Sequence, residues 1–259
     1  MVTVEQTKGA GVALVTGAAR RIGRAISKRL AQEGYALALH ASERSYAEAE
    51  LLAREVTQAG GRAHVIVADL METQAPPLVF EQAAHTFGGV TLLVNNASLF
   101  EQDTPSTFDV DFFDRAMAVN LRAPCALAAL MAQALPEGAT GAIVNIADQR
   151  VWRLNPHFFS YTLTKAALWT ATQTMAQAFA PRLRVNAVGP GPVFPNVMDG
   201  TDGFEREAAN IPLEQAVAAE DVADAVAYLA RARSVTGQMI AVDGGQHIAW
   251  KTPDVTNDL

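Results

Sequence analysis

Seven short apolar runs, separated by longer stretches of helical spacing, constrain this chain more than any other feature of its sequence. Strands are expected at Val12–Thr16, Ala36–His40, Ala63–Ala68, Thr91–Asn95, Gly141–Ile146, Arg184–Val188 and Met239–Val242. Several are apolar almost without interruption, as in parallel strands covered on both faces. Helices are expected over Arg21–Glu33, Ala47–Ala59, Ala75–Thr86, Asp111–Ala134, Phe158–Ala180 and Ala219–Ala230. Strand and helix alternating in this way build right-handed βαβ units, which assemble into one doubly wound α/β sheet. No linker splits the pattern, so residues 1–259 read as one domain. The stretch Gly189–Pro212, rich in proline and glycine, reads as a long irregular loop, and loops of that length in a compact domain usually serve function.

Composition removes several alternatives. The net charge is −7 and the longest basic run is Arg20-Arg21, so nucleic acid is not expected as a partner. The five histidines show no ligand spacing, and no metal site is expected. Cys125 is the single cysteine, which excludes an internal disulfide and suits a reducing compartment. The first residues are too polar for a signal peptide, and no apolar run reaches the ~18 residues of a membrane span. The expectation is a soluble cytoplasmic protein with no membrane partner.

The first strand runs into Thr16-Gly17-Ala18-Ala19-Arg20-Arg21-Ile22-Gly23 and then a helix. Glycine lets a backbone approach a pyrophosphate closely, and the helix N-terminus supplies amide donors at the positive end of its dipole. Further on, Tyr161 and Lys165 stand at i and i+4, one helical turn apart on the same face. A free phenol has a pKa of ~10, and a nearby ammonium favours the phenolate. Tyrosine and lysine at this spacing also occur on ordinary amphipathic helices; the preceding loop is what favours chemistry.

With these residues in view, the chain resembles the short-chain dehydrogenase/reductase family. The family's loop reads Thr-Gly-x-x-x-Gly-x-Gly; Thr16, Gly17 and Gly23 match it, and Arg21 replaces the middle glycine. Asp69-Leu70 resemble the pair that holds the adenine. Asn95-Asn96-Ala97 resemble the family's Asn-Asn-Ala-Gly, with Ser98 in place of the glycine. Asn120 falls at the family's structural and catalytic asparagine. Tyr161 and Lys165 resemble its Tyr-x-x-x-Lys, and Pro190-Gly191 and Asp243-Gly244-Gly245 resemble its later signatures. The resemblance implies a Rossmann-like fold: a seven-stranded, mainly parallel sheet flanked by helices on both faces. It also implies a nicotinamide cofactor bound by Gly17, Arg20, Arg21, Ile22, Gly23, Asp69, Leu70, Asn96, Ala97, Ser98, Tyr161, Lys165, Pro190 and Gly191.

An NAD enzyme usually carries an acid at the end of the second strand. Here the chain reads His40-Ala41-Ser42-Glu43-Arg44-Ser45, with no acid directly at the strand end. Ser42, Arg44 and Ser45, with Arg20 across the turn, are assigned to the 2′-phosphate of NADPH through charge-assisted bonds, and His40 is counted among the cofactor-binding residues. Glu43 argues the other way, and all of these can be solvated surface residues.

Thirteen residues before Tyr161 the family keeps a serine, sometimes a threonine, whose hydroxyl donates to the substrate carbonyl. This chain has Asp148. An ionised carboxylate has no proton to give, repels a developing alkoxide and raises the phenol's pKa. It suits a substrate that offers N–H groups, or a step in which a ring nitrogen takes a proton. The pteridine reductases share Arg21, Asp148 and a phenylalanine shortly after Asn-Ala-Ser, here Phe100. That likeness implies a pterin stacked on Phe100, with Arg21 and Ser98 bonding its edge and Asp148 feeding a proton to Tyr161. The expected activity is NADPH-dependent reduction of a dihydropterin or dihydrofolate, with Asp148, Tyr161, Lys165 and Asn120 as catalytic residues. The alternatives are a general carbonyl reductase and a non-catalytic NADP(H)-binding sensor. The family also implies a homotetramer built on the helices near Asp111–Ala134 and Phe158–Ala180.

Overall fold

All seven apolar runs enter one sheet. The computed structural model describes residues 10–195 and 200–250. Its strands are β1 (Gly11–Val15), β2 (Tyr35–Ala41), β3 (Arg62–Val67), β4 (Leu92–Asn95), β5 (Gly141–Ile146), β6 (Leu183–Pro190) and β7 (Met239–Val242). They lie in the order β3-β2-β1-β4-β5-β6-β7, and every pairing is parallel. The expected α/β, Rossmann-like doubly wound sheet is therefore present. Its order reverses beside β1, which pairs with both β2 and β4, and the crevice beyond the carboxyl ends at such a point is where open α/β sheets bind ligands.

The helices are α1 (Arg21–Gln32), α2 (Tyr46–Gln58), α3 (Ala75–Phe87), α4 (Val110–Met117), α5 (Ala123–Ala134), α6 (Phe159–Phe179), α7 (Gly200–Ala209) and α8 (Ala219–Arg231). Successive strand side chains point to opposite faces, so each strand feeds two cores. Val15, Leu39 and Val144 pack with Ile26 and Leu30 of α1, Leu52 of α2 and Val226 of α8. Leu14, Leu93 and Ile143 pack with Val79 of α3, Leu127 and Met131 of α5 and Ala176 of α6. This two-sided burial explains why the strands read as unbroken apolar runs.

Three expectations change. The helix expected over Asp111–Ala134 is α4 and α5 joined by a π-helical turn, Ala118–Arg122, in which the Ala123 amide bonds back to Ala118. Pro124 has no N–H to give the carbonyl of Asn120, so the regular ladder cannot pass unbroken. The stretch Gly189–Pro212 is not irregular throughout: β6 continues to Pro190 and α7 occupies Gly200–Ala209. Pro195 and Pro212 lie on either side of that helix, while Gly200 starts it and Gly203 falls inside it. Residues 196–199 of this stretch, the first nine residues and the end of the C-terminal tail lie outside the described residues. Phe158, expected as the first residue of α6, precedes it in the left-handed region at φ 57°. The first turn of α6 is held by Asp103, whose carboxylate accepts the Ser160 amide at 3.0 and 3.2 Å and the Ser160 hydroxyl at 2.5 Å. An anion there complements the helix dipole.

The other end of the sheet has the opposite device. Arg184 on β6 donates to the carbonyls of Leu229, Ala230 and Ala232 at 2.7, 2.6 and 2.9 Å, closing the C-terminus of α8 with a cation. Replacing Arg184 with methionine keeps the stem and leaves these carbonyls without a donor. The expected loss is about 2 kcal/mol, read from urea-unfolding midpoints.

Candidate active site

The sequence-assigned residues gather at the carboxyl edge of β1, β4, β5 and β6. The loop after β1 turns at Gly17, where φ is +60°. At Gly23 a Cβ would lie 2.1 Å from the Gly17 carbonyl oxygen and 2.6 Å from Asn96 Nδ2, so a side chain there would displace the loop. Asn96 fastens the turn: its Nδ2 donates to the carbonyls of Thr16 and Gly17, both at 2.9 Å. Thr16 Oγ1 accepts the amides of Asn96 and Ala97 at 2.9 and 3.0 Å. Ile22 is half-buried at the start of α1, and Ser98 is exposed beside the loop.

His40 lies beneath this loop rather than on its surface. Its Nδ1 accepts the Gly17 amide at 3.2 Å, which leaves Nε2 to donate to the Ala68 carbonyl at 3.1 Å. Burial pushes the imidazole pKa down to about 4. Both ring nitrogens are thus engaged with backbone, and through Nδ1 the ring holds Gly17 in place. On the far side, Arg44 is exposed and Arg20 pairs loosely with Glu48 at 3.7 Å. Ser42 and Ser45 bond each other at 3.3 Å, with Ser45 buried. Asp69 is exposed and Leu70 is buried at the carboxyl end of β3. Pro190 and Gly191 end β6, and Gly191 lies against Asp243, whose Cα a Cβ would meet at 2.7 Å.

Arg21 keeps a left-handed backbone, φ 51°, at the position where the family loop has glycine. A side chain there costs roughly 1–2 kcal/mol. Its guanidinium stands over the Phe194 ring at 5.0 Å and donates to the Pro195 carbonyl at 3.4 Å, joining the glycine loop to the segment after β6. Asn120, turned inward by the π-helical segment, exchanges two bonds with the backbone of Leu99, at 2.7 and 2.9 Å, and donates to Thr164 at 3.0 Å. It thereby fixes the loop that carries Ser98 and Phe100 against α6.

Asp148 and Tyr161 form the centre. Tyr161 O–H donates to Asp148 Oδ2 at 2.8 Å, and both residues are buried. Burial first, and then the Asp148 charge, raise the phenol well above its usual range. The expected lowering by Lys165 does not prevail. Lys165 Nζ is itself buried, donates to the Ile146 carbonyl at 2.7 Å and is pushed down to about 8 by desolvation. The cation bonded to Asp148 is one the sequence reading passed over: Arg150 donates through Nη1 to Oδ2 at 3.4 Å and through its amide to Oδ1 at 2.8 Å. Its spacing of two from a buried acid was the available signal.

Phe100 is 39% exposed, and one of its faces is already occupied. Phe158 stacks on it at 4.3 Å and 10°, and Tyr161 meets it edge-on at 4.7 Å. Phe158 was also not singled out; of the two adjacent phenylalanines at the helix start, nothing in the sequence tells which one turns back across a loop.

A glycine turn at the switch point of a parallel sheet, beside a Tyr–Lys pair on a buried helix, defines a dinucleotide-dependent oxidoreductase domain. The chain belongs to the short-chain dehydrogenase/reductase family. Residues 17–247 match the family described as Enoyl-(Acyl carrier protein) reductase. An uncharacterized oxidoreductase of Methylorubrum extorquens is 36% identical over 90% of this chain and 96% of its own length. A FolM alternative dihydrofolate reductase 1 from Brucella canis, solved with NADP, is 49% identical and superimposes with a TM-score of 0.90 over 94% of this chain and 96% of that one. The 3-oxoacyl-[acyl-carrier-protein] reductase FabG of Staphylococcus epidermidis is 31% identical over 91% of this chain and 98% of its own.

The buried imidazole makes loop stability pH-dependent. His40 binds no proton when folded until about pH 4, whereas the unfolded residue takes one near 6.5. Its contribution is complete above pH 6.5 and is lost as pH falls toward 4. Over that window the wild type is expected to lose up to about 3 kcal/mol more than His40→Asn, measured as unfolding midpoints across pH.

Proposed function

We propose that this protein is an NADPH-dependent reductase of pterins, taking a dihydropterin or dihydrofolate to the tetrahydro form. The observation that carries the reading is the 2.8 Å bond from the Tyr161 phenol to a buried carboxylate, where a ketone reductase needs a hydroxyl donor. The likeness to a dihydrofolate reductase of the same family supports the same substrate class.

The residues present fit the cofactor. Gly23 lets α1 begin directly against the Gly17 turn, and the α1 N-terminus, which has no side-chain cap at Arg20, offers its amides to a pyrophosphate. Arg20 and Arg44 are exposed and Ser42 is half-buried, so all three could meet a 2′-phosphate, and the Brucella relative was solved with NADP. NADPH, when bound, supplies the hydride. Asp69 and Leu70 would border the adenine, Pro190 and Gly191 the nicotinamide, and Lys165 the ribose hydroxyls.

The protein's own part is to stack the substrate and move one proton. Phe100, partly exposed beside Tyr161, would pack against the flat ring, and Arg21 and Ser98 would bond the ring's polar edge. Tyr161 gives its proton to the ring nitrogen next to the carbon that takes hydride, so one O–H breaks as one N–H forms. Solvent then returns a proton through the Asp148–Tyr161 pair. Asn120 acts by fixing the Leu99 backbone beside the stack. We further infer a homotetramer through the α4–α5 and α6 faces, which expose Val110 and Leu163.

Turnover of dihydrobiopterin and dihydrofolate against a panel of ketones and 3-oxoacyl thioesters tests the reading. Pterin turnover is expected to dominate with NADPH; ketone turnover alone would replace it with the carbonyl reductase that the FabG relationship favours. Asp148→Ala is expected to reduce pterin turnover by roughly a hundredfold, the scale of a lost acid–base group. Phe100→Ala should raise KM about tenfold while kcat changes little, since stacking is worth about 1 kcal/mol beyond the buried area. Sedimentation velocity tests the tetramer.

A further inference from the structure

Arg150 is the hub of this site. Its side chain is 16% exposed and touches four groups that otherwise belong to separate elements. Nη1 bonds Asp148 Oδ2, the same oxygen that accepts the Tyr161 proton. Nη2 reaches Glu207 of α7 at 3.9 Å. The guanidinium stands 5.8 Å from the Phe100 ring centre and 5.4 Å from that of Phe158. Its Nε is buried with no hydrogen-bond partner among the described residues.

We propose that Arg150 is a positioning residue for proton transfer, offsetting the negative charge that Asp148 places beside Tyr161. The proposal rests on Tyr161 being the proton donor. Exchanging a serine for an aspartate adds a full charge next to the phenol. When the phenol has released its proton, two anionic oxygens share one hydrogen-bonding distance, and that state needs a cation. Lys165 donates to the Ile146 carbonyl, and its ammonium stands over the Tyr161 ring, 5.5 Å from the ring centre, with no bond to the phenol or to Asp148 among the described residues. Arg150 meets the shared oxygen directly. A guanidinium suits the task because it keeps its charge when buried and lies flat on aromatic rings.

The charged groups facing Tyr161 are few. Asp148 and Arg150 come from the turn after β5, Lys165 from its own helix, Glu207 from α7 through Arg150, and Asp103 from the loop beneath Ser160. Among them, Arg150 opposes the upward shift that burial and Asp148 impose on the phenol, and the acids around it raise its own pKa against desolvation.

Two measurements test this. The first needs no substrate. In protein labelled with 3-fluorotyrosine, the Tyr161 resonance, identified by its absence in Tyr161→Phe, should titrate at higher pH in Arg150→Gln than in the wild type. An equal or lower pH overturns the proposal. The second is a double-mutant cycle on kcat. Arg150→Gln should lower kcat roughly 10- to 100-fold, with Arg150→Lys recovering part of it. In an Asp148→Asn background, where there is no charge to offset, the same change should cost less than about threefold. Equal losses in both backgrounds would mean that Arg150 only packs the site, and would overturn the assignment. If the wild type reduces ketones and not dihydropterins, the substrate reading fails; the cycle, run on the ketone, still decides the role of Arg150.

Discussion

The carboxylate of Asp148 has been taken out of water and set against a phenol. Two anions 4 Å apart repel by about 4 kcal/mol at an effective dielectric constant of 20. A buried acid beside a proton donor therefore demands compensation, and the surroundings are arranged to give it. Tyr161 stays protonated and donates, the Arg150 amide and guanidinium complete the carboxylate's bonds, and Glu207 balances the guanidinium in turn. Each of these residues is placed by another element, so the site exists only when the turn after β5, helix α6 and helix α7 are all in position.

Backbone cost is concentrated in the same region. Arg21 and Phe158 both adopt the left-handed conformation that side chains avoid, and both side chains are then used: one over Phe194, the other on Phe100. Their placement turns two loops inward from opposite sides of the crevice. The π-helical turn at Ala118–Arg122 serves a comparable end. It breaks a helix that would otherwise carry Asn120 past Leu99, and the asparagine answers with two bonds to that residue's backbone. At Arg21, Phe158 and Ala118–Arg122, irregular backbone thus accompanies a side chain that reaches across to another segment.

Much of the fold was legible because its signals are local. Apolar runs such as Val12–Val15 and Ile143–Val144 have no polar face to turn to water, and glycines at 17 and 23 leave little besides a tight approach. The Asp148 substitution was legible too, since its spacing from Tyr161 is a short count along the chain. Helix α7 was missed because prolines on either side of it and glycines at 200 and 203 masked the helical spacing of its ten residues. The direction of the His40 ring was not legible: its position at the strand end is a matter of sequence, while its bond to the Gly17 amide forms only when the loop after β1 is folded over it.

Periodicity, turn chemistry and residue type along the chain were sufficient for a doubly wound parallel sheet, a phosphate-type loop and a tyrosine with an unusual acidic companion. Those follow from interactions between residues a few positions apart. Which cation serves that companion was settled by packing. Lys165 was the nearer candidate by helical spacing, yet the carbonyl of Ile146 holds its ammonium, and Arg150 takes the carboxylate because α7 and two phenylalanines enclose its guanidinium there. Pairings of buried charges depend on which partners survive desolvation together, and that is known only once distant segments have met.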